Sequence, residues 1–170
     1  MSEKNSQWIN LAARLVRVVL TRKDIGYAEL SKRLKMDFGV DEDEKALARR
    51  VSLGQVRLTL FLQVLSAVGA PIPCLWAAAI KDVASWEMRA KEILNAELEQ
   101  CPAMQQAELV QKMLTLGVLL PEVKLIGQLE GGTFSMPTFL RALVVLRSPS
   151  LEMYLDYADL LAAAKVELQQ

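Results

Sequence analysis

The fold is indicated by one stretch of sequence that occurs twice. Residues 39–71 read GVDEDEKALARRVSLGQVRLTLFLQVLSAVGAP, and residues 117–149, which lie 78 positions later, read GVLLPEVKLIGQLEGGTFSMPTFLRALVVLRSP. Without a gap, 9 of these 33 positions are identical. The shared residues include two glycines and a proline at turn positions, which helical periodicity alone would not align. The chain is therefore predicted to contain two copies of one structural unit.

Apolar residues recur at helical spacing in both copies, and no segment of useful length alternates as a strand would. The pattern predicts helices at residues 8–23, 27–36, 42–53 and 58–68 in the first copy and at 86–99, 105–115, 121–129 and 138–146 in the second, with a short helix at 76–82 between them. We expect an all-α protein of two pseudo-symmetric four-helix units, residues 8–75 and 86–150, packed as an intramolecular pseudo-dimer. A C-terminal helix is expected within residues 151–170, over about 151–166.

The composition favours a cytoplasmic protein without a metal or cofactor. Hydrophobic residues make up 52% of the 170 residues, but no apolar run reaches the ~18 residues that span a bilayer. Residues 1–7 are polar and lack the order of a signal peptide. Cys74 and Cys101 form neither a disulfide framework nor a pair at metal-ligand spacing. Because the apolar runs are short and residues 1–7 are polar, we expect no membrane association.

Nothing in the chain indicates an enzyme. Histidine, the commonest general base and metal ligand, is absent from the sequence. The motifs of phosphate-binding loops, zinc proteases and serine hydrolases are absent as well. We rank catalysis last among the possible functions.

The net charge of zero conceals two halves of opposite sign. Residues 1–72 contain 12 Lys and Arg against 8 Asp and Glu, a balance of +4. Residues 73–170 contain 8 against 12, a balance of −4. This asymmetry indicates that the basic first unit and the acidic second unit have different tasks.

The order of elements in the first unit resembles the lambda-repressor-like helix-turn-helix class. The stretches that carry the resemblance are Tyr27-Ala28-Glu29-Leu30 and Phe61-Leu62-Gln63 in the first unit and Gly132-Thr133-Phe134-Ser135 in the second. The chain is more similar still to a bacterial family of small uncharacterised domains related to that class, here in two tandem copies. The resemblance implies that both units are helix-turn-helix-like.

By this resemblance, residues 27–36 form the positioning helix and residues 42–53 the recognition helix, which lies in the major groove of DNA. Helical spacing turns Leu47 and Val51 toward the core and leaves Lys45, Arg49 and Ser52 on one outward face, with Arg50 beside them. Lysine or arginine there would read guanine edges. The candidates for phosphate contacts are Arg22, Lys23, Lys32, Arg33, Lys35 and Arg57.

The alternative interpretation of this basic face is an ordinary solvated helix surface. The acidic run from Asp41 to Glu44 lies at the end of the helix that usually approaches the groove, where it would repel phosphates. The equivalent helix of the second unit, residues 121–129, cannot be a second DNA reader of the same kind because it lacks the basic face. At most one unit is expected to bind DNA.

The second unit carries a dense apolar stretch over residues 113–126. This stretch either packs against the first unit or, together with the C-terminal helix, forms a surface for a homo-oligomer or a protein partner. The preferred hypothesis is a DNA-binding protein, a transcription regulator or an accessory factor, that contacts double-stranded DNA through the first unit and assembles through the second. The alternative is a protein–protein interaction module on the same scaffold with no nucleic-acid role.

Overall fold

The computed structural model describes residues 3–169, and within that range all regular secondary structure is helical. The helices are α1 (Glu3–Arg22), α2 (Tyr27–Phe38), α3 (Glu44–Ser52), α4 (Leu58–Ala67), α5 (Cys74–Ala79), α6 (Trp86–Glu99), α7 (Gln106–Thr115), α8 (Glu122–Gly131), α9 (Met136–Val145) and α10 (Tyr157–Leu168). The predicted all-α fold of two repeated four-helix units is confirmed: α1 to α4 form the first unit and α6 to α9 the second.

The C-terminal helix begins later than predicted. Residues 151–155 form a separate helical turn in which the amides of Tyr154 and Leu155 both donate to the Leu151 carbonyl at 2.9 Å. The chain then breaks at Asp156, and the Glu152 carboxylate accepts from the Tyr157 amide at 2.6 Å. This contact satisfies one of the free amides that begin α10, so the prediction of a continuous helix from residue 151 is wrong.

One of the two pairs of glycines shared by the repeats, Gly54 and Gly132, follows α3 and α8, where the backbone adopts a left-handed conformation. Gly54 and Gly132 have φ angles of 65° and 67°, a left-handed conformation that favours glycine. A Cβ atom at Gly132 would lie 1.9 Å from the carbonyl oxygen of Glu87, and one at Gly54 would lie 3.0 Å from the Ile9 side chain. Glu87 is itself 78 positions after Ile9, so each glycine brings the third helix of a unit close to its first.

A pseudo-twofold axis relates the two units. Arg57 and Ser135, which occupy equivalent positions of the repeat, face each other in an antiparallel bridge. The Leu58 amide donates to the Phe134 carbonyl at 3.4 Å, and the equivalent Met136 amide donates to the Val56 carbonyl at 2.7 Å. This reciprocal pattern is that of a symmetric dimer interface, here made within one chain.

The first helix of each unit packs on both units. α1 packs on α3 of its own unit and on α9 of the second, and α6 correspondingly packs on α8 and on α4. The helices that follow each unit also cross over, since α5 packs on α6 and α10 packs on α1. One hydrophobic core therefore runs through both units, with Trp8, Phe61, Trp76 and Phe139 among its largest buried side chains. In residues 3–169, no helix combines the length and the apolar character needed to cross a membrane.

Candidate nucleic-acid interface

The helix α3 has a clear inner side and a clear outer side. Its N-terminus is capped by the Asp43 carboxylate, which accepts from the Ala46 amide at 2.7 Å. Leu47 and Val51 are buried in the core as predicted. The opposite side leaves Lys45, Arg49 and Ser52 exposed. The structure thus places the three predicted outward residues together on one solvent-facing surface.

Two cations on this surface, Lys45 and Arg49, form no ion pair with any residue of the described range. A third cation, Arg17 of α1, reaches the same surface and donates from Nη2 to the Ser52 hydroxyl at 3.2 Å. Arg17 was not among the predicted DNA contacts, because its approach to Ser52 depends on the packing of α1 on α3.

Arg50, beside this surface, makes contacts within the protein. Its guanidinium is paired with the Glu42 carboxylate and donates from Nε to the Gln55 carbonyl at 2.9 Å. Both members of the ion pair are about a third exposed or less. Arg50 therefore connects the residues that flank the two ends of α3.

The acidic run before α3 is largely used by local contacts. Asp43 caps the helix, Glu42 pairs with Arg50, and Asp41 forms an ion pair of 3.0 Å with Lys35. The backbone carbonyl of Glu42 also accepts from the Ser31 hydroxyl of α2, which fixes the turn between α2 and α3. Two of the four carboxylates are thus paired with a cation, whereas Asp43 and the exposed Glu44 form no ion pair with a described residue.

The predicted phosphate contacts divide into two groups. Arg22 donates to the Met153 carbonyl and lies 5.3 Å above the Tyr154 ring, while Arg33 donates to Glu29 at 2.9 Å and to the Ala67 carbonyl at 3.3 Å. The hydrogen bond from Arg33 lowers the pKa of Glu29. With Lys35 held by Asp41, three of these side chains have partners inside the protein. The remaining three, which are exposed and form no ion pair with a described residue, are Lys23, Lys32 and Arg57.

The equivalent surface of the second unit has a different chemistry. At the positions of Lys45 and Arg49, α8 carries Val123 and Gly127, and at the position of Asp41 the preceding turn carries Leu119. Leu119 and Val123 are 74% and 81% exposed. The face of Lys45, Arg49 and Ser52 thus corresponds in the second unit to Val123, Gly127 and the exposed Glu130, which carry no positive charge.

Most of the apolar stretch at residues 113–126 belongs to the core. Met113, Leu116 and Leu125 are buried, but α7 and α8 pack mainly on α6 and α9 of their own unit, so packing against the first unit does not account for the stretch. The C-terminal helix α10 likewise buries Leu160, Ala163 and Ala164 against α1 and α9. Its Leu161 and Leu168 remain exposed, as do Leu119 and Val123 of the second unit.

The remaining side chains do not form a metal centre. Among residues 3–169, no three Asp, Glu or Cys side chains gather in a way that would hold an ion. Cys74 is exposed, and Cys101 donates its thiol to the Leu146 carbonyl at 3.1 Å.

Comparison with protein families yields one match, which occurs twice. The family described as "Domain of unknown function (DUF6471)" matches residues 8–72 and again residues 86–151. No curated protein and no solved structure matches the chain.

Proposed function

We propose that the protein binds double-stranded DNA through α3 of the first unit. The chain belongs to the DUF6471 family of domains of unknown function and carries two copies of its domain. In this proposal α2 and α3 act as a helix-turn-helix pair: α2 positions the second helix, and α3 enters the major groove. The protein would then act as a regulator of transcription or as an accessory factor on DNA.

The observation that carries the proposal is the outer face of α3. Lys45 and Arg49 are exposed, lie four residues apart on one side of a capped helix, and face no carboxylate of the described range at ion-pair distance. Arginine and lysine in this arrangement suit both guanine edges and phosphates. The packing of α2 on both α3 and α4 supports a rigid presentation of that face.

The neighbouring contacts support a cationic character for this surface. Arg17 adds a third positive charge beside Ser52, while the carboxylate of Glu42 is occupied by Arg50. In α8 the positions equivalent to Lys45 and Arg49 hold no positive charge, so the second unit would not bind DNA in this way. It would serve assembly instead, since the bridge between Arg57 and Ser135 joins it to the first unit. The protein would therefore read DNA with one of its two equivalent helices.

The test is fluorescence anisotropy of a labelled generic duplex at several salt concentrations, with the wild-type protein and the Lys45→Ala/Arg49→Ala variant. Wild-type binding should weaken with salt, and the variant should bind at least about tenfold more weakly with a log–log salt slope smaller by about 2. Arg50 is left intact, since its removal would break the contact with Glu42.

The matched control is Lys124→Ala/Lys165→Ala, which removes one exposed charge from α8 and one from α10 and should change the affinity little. Absence of wild-type binding at low salt would contradict the proposal. An equal loss of affinity in the control would also contradict it, because the effect would then follow net charge and not α3.

A second candidate function is protein–protein interaction without DNA. It is favoured by the exposed Leu119 and Val123, which occupy in the second unit the place that charged residues occupy in the first. Under this alternative the wild-type chain would self-associate in sedimentation velocity, and Leu119→Ser/Val123→Ser would shift it toward the monomer. A wild-type chain that stays monomeric over the micromolar range would contradict self-association through this face.

A further inference from the structure

A cleft of about 520 Å³ lies between the two units, beside the antiparallel bridge. Its walls come from the segment that joins α3 to α4, the turn before α8, the start of α9 and the first turns of α1. The volume falls in the range of small-molecule sites, about 300 to 1,000 Å³. The cleft is separate from the outer face formed by Lys45, Arg49 and Ser52, none of which lines it.

One wall of the cleft holds a buried cation. Arg141 of α9 is only 2% exposed, yet it lines the cleft. Its guanidinium donates to the carbonyls of Leu116 at 2.7 Å and of Pro137 and Gly117 at 3.3 Å, and to the Asn5 side chain at 3.1 Å, and it lies 4.9 Å above the Trp8 ring. Every acceptor in this set is neutral.

The charge of Arg141 is therefore held without a direct counter-ion. No carboxylate of the described residues forms an ion pair with it, and Glu167 of α10 acts on it only at longer range. Burial lowers the pKa of Arg141 to about 10, and Glu167 offsets part of that shift. A buried cation is costly unless an anion accompanies it, so this wall favours an anionic occupant.

The rest of the cleft combines polar and apolar groups. Arg57, Ser135 and Thr138 supply polar groups. Leu53 and Leu119 also line the cleft and remain 40% and 74% exposed. Exposed leucines next to a desolvated guanidinium suit a molecule with an anionic head and an aliphatic body.

We propose that the cleft between the two units binds a small amphiphile that carries an oxyanion, with the anion near Arg141 and Arg57 and the aliphatic chain against Leu53 and Leu119. Guanidinium groups donate to carboxylates and phosphates alike, so the shared chemistry is the oxyanion. This site does not depend on DNA binding, because it rests on residues outside the face of α3 that the proposed function uses.

The experiment is isothermal titration calorimetry of the whole chain with octanoate, octyl phosphate, octanol and acetate. At least one of the two charged C8 probes should bind, and the tighter of them identifies the head group. Octanol, which lacks the charge, and acetate, which lacks the chain, should each bind at least about tenfold more weakly. No binding of either charged C8 probe, or equal binding of octanol, would overturn the proposal.

Three variants locate the site. Arg57→Gln and Leu119→Ser each change an exposed side chain of the cleft and should weaken the charged probe about tenfold and several-fold, respectively, without unfolding the protein. Lys32→Gln, an exposed residue of α2 that does not line the cleft, is the matched control and should leave the affinity unchanged. Unchanged binding in both cleft variants would place the probe elsewhere and overturn the proposal.

Discussion

The helices α3 and α8 occupy equivalent places in the two units but present different surfaces to solvent. Their inner positions agree: Leu47 matches Leu125 and Val51 matches Leu129, and all four are buried. Their outer positions differ, since Lys45 and Arg49 are replaced by Val123 and Gly127. The core and the turns limit what the inner positions can become, whereas an outer position can change with little cost to the fold. The difference separates the residues that build the unit from those that could give it a function.

The glycines after α3 and α8 provide the largest expected difference between the units. Gly132→Ala should destabilise the protein by about 3 kcal/mol or more, because the new Cβ would meet the Glu87 backbone at 1.9 Å in a left-handed conformation. Gly54→Ala should cost less, roughly 2 kcal/mol, because its nearest contacts are Ile9 atoms at 3.0 to 3.1 Å.

Urea unfolding followed by circular dichroism measures both free energies. Gly26→Ala is the control: Gly26 has a φ of −88° and open space around its Cβ position, so the variant should lose no more than about 1 kcal/mol, the difference between glycine and alanine at the N-cap of α2. A Gly132 variant as stable as the wild type would show that the two glycines are not under the constraint described.

Two aromatic residues at equivalent positions after the two units, Trp76 and Tyr154, are expected to show an effect of intermediate size. Trp76 and Tyr154 are 78 positions apart; Trp76 donates to the buried Glu97 carboxylate at 2.7 Å, and Tyr154 donates to the Pro71 carbonyl. Trp76→Phe should cost about 2 kcal/mol, because it leaves Glu97 buried without its donor, whereas Tyr154→Phe should cost about 1 kcal/mol.

A double-mutant cycle with Glu97→Leu isolates the carboxylate term. The other oxygen of Glu97 already has no hydrogen-bond partner in the described structure. In the Glu97→Leu background, Trp76→Phe should therefore lower the free energy of unfolding much less than it does in the wild type. An unchanged cost in the Glu97→Leu background would mean that ring packing, including the contact of Trp76 with Phe139 at 5.6 Å, carries the effect.

The smallest expected effect concerns the outer face of α8. Gly127 lies inside that helix with open space around its Cβ position, so Gly127→Ala should stabilise the protein by about 0.5 to 1 kcal/mol. Arg49→Gly at the equivalent position of α3 should destabilise it by a similar amount. Thermal unfolding of both variants measures the two shifts, and shifts of the same sign would contradict the equivalence of the two helices.

Much of the fold followed from periodicity and turn residues. The prediction for residues 86–99 coincides with α6, and Leu47 and Val51 were placed correctly in the core, because burial of an amphipathic helix follows from its own residues. The packing of α1 on α9 and of α6 on α4 could not be predicted in this way, since it depends on contacts between segments far apart in the chain.

The candidate site was less predictable for the same reason. Arg22 and Arg33 were candidates for a basic surface, but each donates to a carbonyl brought near by folding, that of Met153 or Ala67. The ion pair of Arg33 with Glu29, four residues apart on α2, could have been predicted from the sequence. Arg17 joins the face of α3 only through the packing of α1 on α3. The sequence therefore indicates which lysine and arginine residues could bind DNA, and the contacts in the folded protein determine which of them remain available to a ligand.

The most direct test of the central claim is NMR titration of the amide-labelled protein with a short duplex at low salt. The account predicts that the largest chemical-shift changes appear in α3, at Lys45, Arg49 and Ser52, with no comparable changes at Val123, Gly127 and Glu130 of α8. Changes concentrated on α8, or no changes at any amide, would contradict the assignment of DNA binding to the first unit.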